Sequence, residues 1–248
     1  MEKEQVEQQE YAILIDGDNA QASLLPQILA DISKEGMITI KRIYGDWTTN
    51  TMNQWKDLLH KHAIQPIQQF RNTVGKNATD SAMIIDAMDL LYSNDLQGFC
   101  IVSSDSDYTR LATRIRENGL NIIGVGEQKT PEAFVNACSR FIHTENLTVT
   151  QEPKTKARRR KKQEGQEASS PLPFLIKGFE MAAKEEEWVY LASMGSALRQ
   201  LNPAFDSRTY AHPKLQSLIK EYPETFTLKQ DDSKTPPVVY VALRTQTS

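Results

Sequence analysis

Two short acidic segments contain the residues whose types and spacing are best suited to chemistry. The segment DGDN at positions 16–19 follows the apolar run AILI, and the segment SDSD at positions 104–107 follows the run CIVS. A further acid, Asp80, lies between them in the sequence. Carboxylates that lie close together repel one another unless their pKa values rise or a cation binds them. The segments therefore predict a metal site if the fold brings them together.

The ligand types favour Mg²⁺ or Mn²⁺ as the cofactor. Carboxylate oxygens are hard ligands, and the sequence offers no Cys/His set at zinc spacing. Such an ion can polarise a phosphodiester and lower the pKa of bound water, and two ions about 3.5–4 Å apart can stabilise both the attacking and the leaving oxygen. The predicted chemistry is phosphodiester hydrolysis without a covalent protein nucleophile. The predicted catalytic and principal metal-binding residues are Asp16, Asp80 and Asp105, with Asp18 and Asp107 as further ligands and Asn19 and Ser104 as supporting residues.

The same acidic positions also have a purely structural interpretation. Asp, Asn and Ser at a strand-to-helix turn are favoured as helix caps, which applies singly to most residues of both segments. Asp86 and Asp89 lie inside a predicted helix, and the structural interpretation is that they form only its polar face. The combination of segments, rather than any single residue, supports the metal-site prediction.

The elements that must position these residues form an α/β pattern. From Tyr11 onward, short apolar runs alternate with longer amphipathic ones, which is typical of βαβ units and a parallel sheet. Ligands of such sheets bind at the carboxyl ends of the strands, where strand order reverses. If the strands YAILI and FCIVS are neighbours, Asp16, Asp105 and Asp107 converge, and Asp80 reaches in from the start of a helix. The predicted strands are Tyr11–Ile15, Ile38–Tyr44, Ile64–Phe70, Phe99–Ser103 and Leu120–Val125. The predicted helices are Leu24–Lys34, Met52–His62, Ser81–Tyr92, Tyr108–Asn118 and Pro131–Ala137.

A change in composition divides the chain. Residues 149–171 are rich in Lys, Arg, Gln, Glu, Ser and Pro and contain the basic run KTKARRRKK at 154–162, which predicts a flexible basic linker. We expect residues 1–10 to be a disordered tail, 11–148 a nuclease domain and 172–248 a small winged-helix domain. The elements predicted for the last domain are helices at Phe174–Glu187, Leu191–Gln200 and Lys214–Glu221 and a hairpin of Phe226–Leu228 with Val238–Leu243.

Composition limits the compartment and the partners. The chain has 248 residues and a net charge of −3, with no apolar stretch long enough to span a bilayer. Its start lacks the apolar core of a signal peptide, and Cys100 and Cys138 lie in apolar or amphipathic runs, so we expect a cytoplasmic protein with two core cysteines. The basic run provides a local positive charge that can attract a polyanion, although the net charge of the chain is negative.

Four motifs of the first domain resemble, in order, those of the NYN domain in its bacterial LabA-like branch. They are IDGDN (15–19), RIYGDW (42–47), KNATD (76–80) and SSDSDY (103–108). The resemblance implies a PIN-like fold and RNA cleavage with acid-bound Mg²⁺ or Mn²⁺. It also implies that Asp16, Asp80 and Asp105 are the principal ligands, with Asn19 and Asp107 as supporting residues.

The C-terminal motifs resemble the LOTUS module, also called OST-HTH, a winged-helix RNA-binding domain. They are EWV (187–189), LASMGSAL (191–198), PAFD (203–206), Tyr210 and KLQSLI (214–219), and Ala211 stands where that pattern often has glycine. Large apolar side chains are usually buried, so Trp188, Phe205 and Leu215 are predicted to be core. The resemblance implies RNA as the partner. The candidate phosphate contacts are Lys76, Arg158, Arg159, Arg160, Arg199, Arg208 and Lys214, with Lys220 beside them.

Three functions fit the sequence. The first is an RNA endonuclease whose catalytic domain is tethered to an RNA-binding module, which raises the local concentration of substrate. The second is a nonenzymatic RNA-binding or assembly protein with a relic acidic pocket. The third is a haloacid-dehalogenase-like phosphatase, because Asp16-Gly17-Asp18 after an apolar strand also resembles that family's nucleophile motif. The phosphatase would need a covalent phospho-aspartate, whereas the nuclease needs only metal-bound water.

Overall fold

A computed structural model describes residues 9–70, 78–148, 170–184 and 186–244 of the chain. The chain divides into two compact units, Met1–Thr148 and Val149–Ser248. The predicted basic run with Arg158, Arg159 and Arg160, the loop residue Lys76 and nearly all of the predicted tail and linker lie outside the described residues. Within the described residues, no helix is long and apolar enough to cross a membrane.

The first unit is built on a six-stranded sheet in the order β3-β2-β1-β4-β5-β6, in which every neighbouring pair is parallel. The two strands that precede the acidic segments, β1 and β4, are therefore adjacent at the centre, where the strand order reverses. This confirms the α/β parallel-sheet prediction. The strands are β1 (Glu10–Asp16), β2 (Met37–Gly45), β3 (Gln65–Gln68), β4 (Gly98–Val102), β5 (Asn121–Gly126) and β6 (Arg140–His143).

Helices cover both faces of this sheet. Ile13 and Ile15 share a buried cluster with Ile28 and Ile32 of the first helix, so the alternate residues Ala12 and Leu14 point to the opposite face. On that face α3 contacts β1 and β2, and α4 contacts β5. The helices of the first unit are α1 (Leu25–Ile32), α2 (Lys56–His62), α3 (Ala78–Ser93), α4 (Thr109–Glu117), α5 (Glu132–Ala137) and α6 (Thr144–Thr148).

The five predicted strands and five predicted helices of this unit are all present, within a few residues of the predicted ends. The predicted helix 52–62 begins as a 3-10 helix, Asn50–Trp55, before α2. Gly119 ends the α4 region with a φ of 80°, a left-handed conformation that glycine adopts without a steric penalty. The edge strand β6 and the short helix α6 are additional to the prediction.

The second unit combines helices with a three-stranded antiparallel sheet in the order β7-β9-β8. Leu175, Phe179 and Leu198 are among the buried residues of its separate core. The predicted helices and terminal hairpin are present, but the first helix ends at Ala183, four residues before its predicted end at Glu187, because Lys184 adopts a backbone conformation with a positive φ of 51°. The elements are α7 (Leu172–Ala183), β7 (Val189–Tyr190), α8 (Leu191–Leu201), α9 (Leu215–Ile219), β8 (Phe226–Asp231) and β9 (Val238–Leu243).

The predicted core residues of this unit are less enclosed than expected. Phe205 and Leu215 pack against the core but are only partly buried, and Trp188 is also half-buried. Ala211, which replaces the more usual glycine, has a φ of 62°. This turn therefore places an alanine in the left-handed region, where a Cβ atom costs energy.

Candidate metal centre

The acidic segments meet at the carboxyl ends of β1 and β4. Gly17 lies where the chain leaves β1, and its amide donates to the Tyr44 carbonyl of β2 over 2.9 Å. A Cβ atom at Gly17 would come within 2.9 Å of that oxygen and within 2.7 Å of Met52 Cε. The close approach of the chain to β2 therefore requires glycine, and it fixes the direction in which the Asp16 and Asp18 backbone leaves the sheet.

Asp16 is fully buried at this sheet edge. Its Oδ2 accepts hydrogen bonds from Asn19 Nδ2 at 2.7 Å and from Ser103 Oγ at 3.0 Å. Its Oδ1 is buried and has no hydrogen-bond partner among the described residues. A buried carboxylate oxygen without a partner is costly, so this atom marks a position where a cation would be stabilised.

Three other acids converge beside it. One carboxylate oxygen each from Asp80, Asp105 and Asp107 lie within 4.8 Å of one another. Asp80 is buried in the first turn of α3, Asp105 is half-buried and Asp107 is exposed. Asp16 is outside this group of three, but the charge of Asp80 acts on Asp16 and raises its pKa.

The turn after β4 has a defined internal structure. Asp105 is the N-cap of a short 3-10 helix, and its Oδ1 accepts a 2.9 Å hydrogen bond from the Asp107 amide. The Asp105 amide in turn donates to Ser103 Oγ over 3.1 Å. Ser103 thus receives one hydrogen bond from the Asp105 backbone and donates another to Asp16. The capping and the metal-ligand interpretations of Asp105 are compatible, because capping uses only one carboxylate oxygen.

Neighbouring hydroxyl groups orient the remaining acids. Tyr108 Oη donates to Asp80 Oδ1 over 2.7 Å, and both residues are buried. Thr79 Oγ1 donates to Asp18 Oδ2 over 3.0 Å, which ties the DGDN turn to the start of α3. Ser104 points elsewhere, since its Oγ accepts from the Glu127 amide at 2.8 Å and so supports the loop after β5.

Burial and like charge act together on the two most enclosed acids. Desolvation raises the pKa of Asp16, and the nearby Asp80 and Asp18 raise it further, against the opposing hydrogen bonds from Asn19 and Ser103. Desolvation likewise raises the pKa of Asp80, with Asp105, Asp107 and Asp18 adding to it. Both carboxylates are therefore destabilised as anions unless positive charge is placed beside them.

The donor set fits a hard divalent cation. It consists of carboxylate oxygens, and the unpartnered Asp16 Oδ1 and the raised carboxyl pKa values are both relieved by a bound cation. Mg²⁺ and Mn²⁺ meet this chemistry, whereas zinc sites are typically built with cysteine and histidine.

Sequence reasoning missed several residues of the site. Tyr108, Ser103 and Thr79 orient acids across elements that are distant in sequence, and only their adjacency to the acidic motifs could have drawn attention to them. The interpretation of Asp86 as mere helix surface was also wrong. Its carboxylate forms an ion pair with Arg42 and accepts a hydrogen bond from Tyr44 Oη, so it joins α3 to β2.

The basic candidates of the second unit differ in their surroundings. Arg208 is mostly buried and ion-paired with Asp206 at 2.5 Å, which reduces the positive charge it can offer to a phosphate. Arg199 and Lys214 both line an open groove. Their contact with nucleic acid remains a prediction, as does that of Arg208.

Comparison with known proteins adds the family to this geometry. Among solved structures, a protein of unknown function from Vibrio parahaemolyticus is 16% identical, over 57% of this chain and 94% of that one, with a TM-score of 0.47. An uncharacterized protein from Nitrosomonas europaea is 22% identical, over 39% of this chain and 96% of that one, with a TM-score of 0.29. Neither similarity is close enough to assign a function. The comparison with curated proteins found no match.

The family models are more informative. The model of the OST-HTH/LOTUS domain matches residues 167–238. The model of the NYN domain matches residues 10–146, more than half of the chain and the whole region that carries the acidic site. The chain therefore belongs to the NYN domain family, with an OST-HTH/LOTUS domain following the NYN domain.

Proposed function

We propose that this protein is a metal-dependent RNA endonuclease, with the acidic site of the NYN domain as its catalytic centre and the OST-HTH/LOTUS domain as its RNA anchor. The observation that supports it most strongly is the buried carboxylate of Asp16, which lies beside the group Asp80, Asp105 and Asp107. Its Oδ1 has no hydrogen-bond partner in the described part of the chain. Such an arrangement is destabilising by itself and is relieved by a cation.

In this proposal Asp16, Asp80 and Asp105 hold Mg²⁺ or Mn²⁺, with Asp107 and Asp18 as further ligands. The cation would polarise the scissile phosphodiester and promote the ionisation of a water molecule. The chain's own hydroxyl groups keep the carboxylates in place: Ser103 orients Asp16, and Tyr108 orients Asp80. The domain thus positions the cation without contributing a covalent nucleophile.

The phosphatase alternative is disfavoured by burial. A phosphatase of the haloacid-dehalogenase type would use Asp16 as a nucleophile that attacks a phosphoryl group, and this requires an accessible carboxylate. Asp16 is 0% exposed, and one of its oxygens is occupied by two hydrogen bonds. The nonenzymatic alternative keeps the same acids but assigns them no reaction, so only an activity assay separates it from the nuclease.

The deciding experiment uses the full chain with labelled single-stranded RNA, structured RNA and matched DNA, with Mg²⁺, with Mn²⁺ and with a chelator. We expect internal cleavage of RNA that depends on the cation. Asp105→Asn should reduce the rate by more than about 100-fold, which exceeds the usual loss for groups that only support a ligand.

Asp89→Asn is the matched control, because Asp89 is an exposed acid of α3 outside the group of three. It should cleave RNA at the wild-type rate. If the wild type cleaves nothing with either cation, or if folded Asp105→Asn is fully active, the proposal is wrong.

A further inference from the structure

Two tyrosines form a pair on the surface of the second unit. Tyr190 of β7 lies opposite Tyr240 of β9, with ring centroids 4.7 Å apart and ring planes inclined by 33°. Tyr190 is 44% exposed, although large aromatic side chains are usually buried. The pair therefore offers an aromatic surface to a ligand.

A lysine lies at the hydroxyl end of these rings. Lys234, in the turn between β8 and β9, has its Nζ 5.5 Å from the centroid of Tyr190 and 5.9 Å from that of Tyr240. The same Nζ donates to the two tyrosine hydroxyls, at 3.4 and 3.2 Å. These contacts hold a positive charge close to an exposed aromatic ring.

Tyr190 also lines an open groove of about 560 Å³ between α8, the start of α9 and the start of β9. Arg199 and Lys214 line the groove from α8 and from the N-cap of α9. Leu215 and Val239 supply apolar surface, and Gln216 supplies an amide. In the described part of the chain, none of the lining residues is acidic.

This combination selects one class of ligand. Cationic side chains attract a polyanion, and an exposed ring accepts a flat aromatic group that stacks on it; single-stranded nucleic acid supplies both along one backbone. An acidic peptide would satisfy the charges but would not need the paired rings. A double-stranded nucleic acid would also satisfy the charges, but its bases are stacked inside the duplex, so their faces cannot contact the tyrosine ring.

We propose that this groove binds single-stranded RNA, with an unpaired base stacked on Tyr190 and the adjoining phosphates beside Lys214, Arg199 and Lys234. The proposal rests on the proposed function, in which the second unit anchors RNA, and it defines which form of RNA is bound and where. Stacking contributes affinity that depends on bases but tolerates any sequence, while the cations contribute affinity that depends on salt.

The test measures binding by the full chain in a chelator, so that affinity is separated from cleavage. The probes are a labelled unstructured RNA and an oligomer of the same length with abasic sugars, which keeps the phosphates but removes the bases. The variants are Tyr190→Ala, Tyr190→Phe and Lys214→Gln. Tyr92→Ala and Lys177→Gln are controls, because Tyr92 is exposed on α3 and Lys177 on α7, and neither lines the groove.

We expect Tyr190→Ala to lose between about 5- and 150-fold in affinity for the RNA, the range for one stacked base, and to bind the abasic oligomer like the wild type. Tyr190→Phe should retain binding, which separates stacking from a folding defect. Lys214→Gln should weaken the binding of both probes and reduce the dependence of that binding on salt. Both controls should bind like the wild type.

The proposal is overturned if Tyr190→Ala binds the unstructured RNA as tightly as the wild type, or if it loses affinity for both probes equally. The first result would leave the groove available to a protein partner instead. Cleavage with Mn²⁺ is measured separately. If Tyr190→Ala binds RNA as tightly as the wild type and cleavage is normal, only the proposal that the groove binds RNA is rejected. If the expected binding losses are seen but the protein cleaves no RNA, the groove proposal is supported and the nuclease proposal is rejected.

Discussion

Tyr108 Oη donates a 2.7 Å hydrogen bond to Asp80 Oδ1, and this contact joins the turn after β4 to the first turn of α3. Both residues are buried, so water competes little for the bond. The second oxygen of Asp80 is not needed for this bond and can face the acidic group. Tyr108 therefore acts as a positioning residue for a predicted metal ligand.

Removing this hydroxyl should weaken metal binding without abolishing the site. Tyr108→Phe keeps the ring in the core but leaves Asp80 free to rotate, and supporting groups of this kind are worth about 10- to 100-fold in metal affinity or activity. We expect the Mn²⁺ concentration for half-maximal cleavage to rise, with part of the rate recovered at high Mn²⁺. Tyr44→Phe is the control, because Tyr44 donates to Asp86 rather than to a predicted ligand. An unchanged Mn²⁺ dependence in Tyr108→Phe would remove Tyr108 from this role.

Asp86 should affect stability rather than catalysis. Asp86→Asn removes the charge that pairs with Arg42 and weakens the bond from Tyr44, and losing hydrogen bonds to a charged, partly buried group costs about 1–3 kcal/mol. Urea unfolding should show a lower free energy of unfolding, while the cleavage rate per folded molecule stays at the wild-type value. Asp89→Asn, at an exposed position on the same helix, should change neither. A loss of cleavage in folded Asp86→Asn would instead connect Asp86 with the catalytic site.

The raised pKa of Asp16 contributes to the pH dependence of the stability of the metal-free protein. A carboxyl whose pKa is higher in the folded state binds its proton more tightly there, so the free energy of unfolding falls as pH rises from the ordinary carboxyl range through the raised value. Asp16→Asn retains an oxygen that can accept from Ser103 but carries no charge. In a chelator, the variant should melt at a higher temperature than the wild type at pH 7 and at a similar temperature near pH 4.

A bound cation should reverse the order of the two melting temperatures at pH 7, so that the wild type melts at a higher temperature than Asp16→Asn. Mn²⁺ should raise the melting temperature of the wild type more at pH 7 than at pH 5, because protonation competes with the cation for the carboxylates. The same addition should raise the melting temperature of Asp16→Asn less. Equal stabilisation of the variant and the wild type at pH 7 would show that Asp16 is not a ligand.

The central part of the site was predictable because it depends on local sequence and topology. Two apolar runs that end in acidic segments predict buried parallel strands with their carboxylates at one edge, and β1 and β4 are indeed neighbours. The same reasoning placed Asp80 at a helix start. Such features depend on periodicity and strand order, which a single sequence carries.

The remainder depends on side-chain contacts between distant elements. The bond from Tyr108 to Asp80 and the ion pair of Arg42 with Asp86 join residues that are 28 and 44 positions apart, and no local pattern selects those partners. The strand β6 was missed because it is four residues long and begins with Arg140, so its apolar run is short. The tyrosine pair of the second unit likewise depends on the register of β7 with β9.

A truncation that ends at Thr148 should separate cleavage from RNA affinity. The first unit has its own buried core and a complete six-stranded sheet, so it should fold without the rest of the chain. It retains Asp16, Asp80 and the other acids, and at saturating RNA its cleavage rate should be close to that of the full chain.

Its affinity for RNA should fall, and the fall should be larger at low salt. The truncated protein lacks the basic run at 154–162 as well as the groove of the second unit, and each lost phosphate contact reduces both the affinity and its dependence on salt. Binding of the truncated and full-length proteins at two salt concentrations, measured in a chelator, tests this directly. If the truncated protein binds RNA as tightly as the full chain at both salt concentrations, the residues after Thr148 are not an RNA anchor. The OST-HTH/LOTUS domain would then be better explained as a site for another protein.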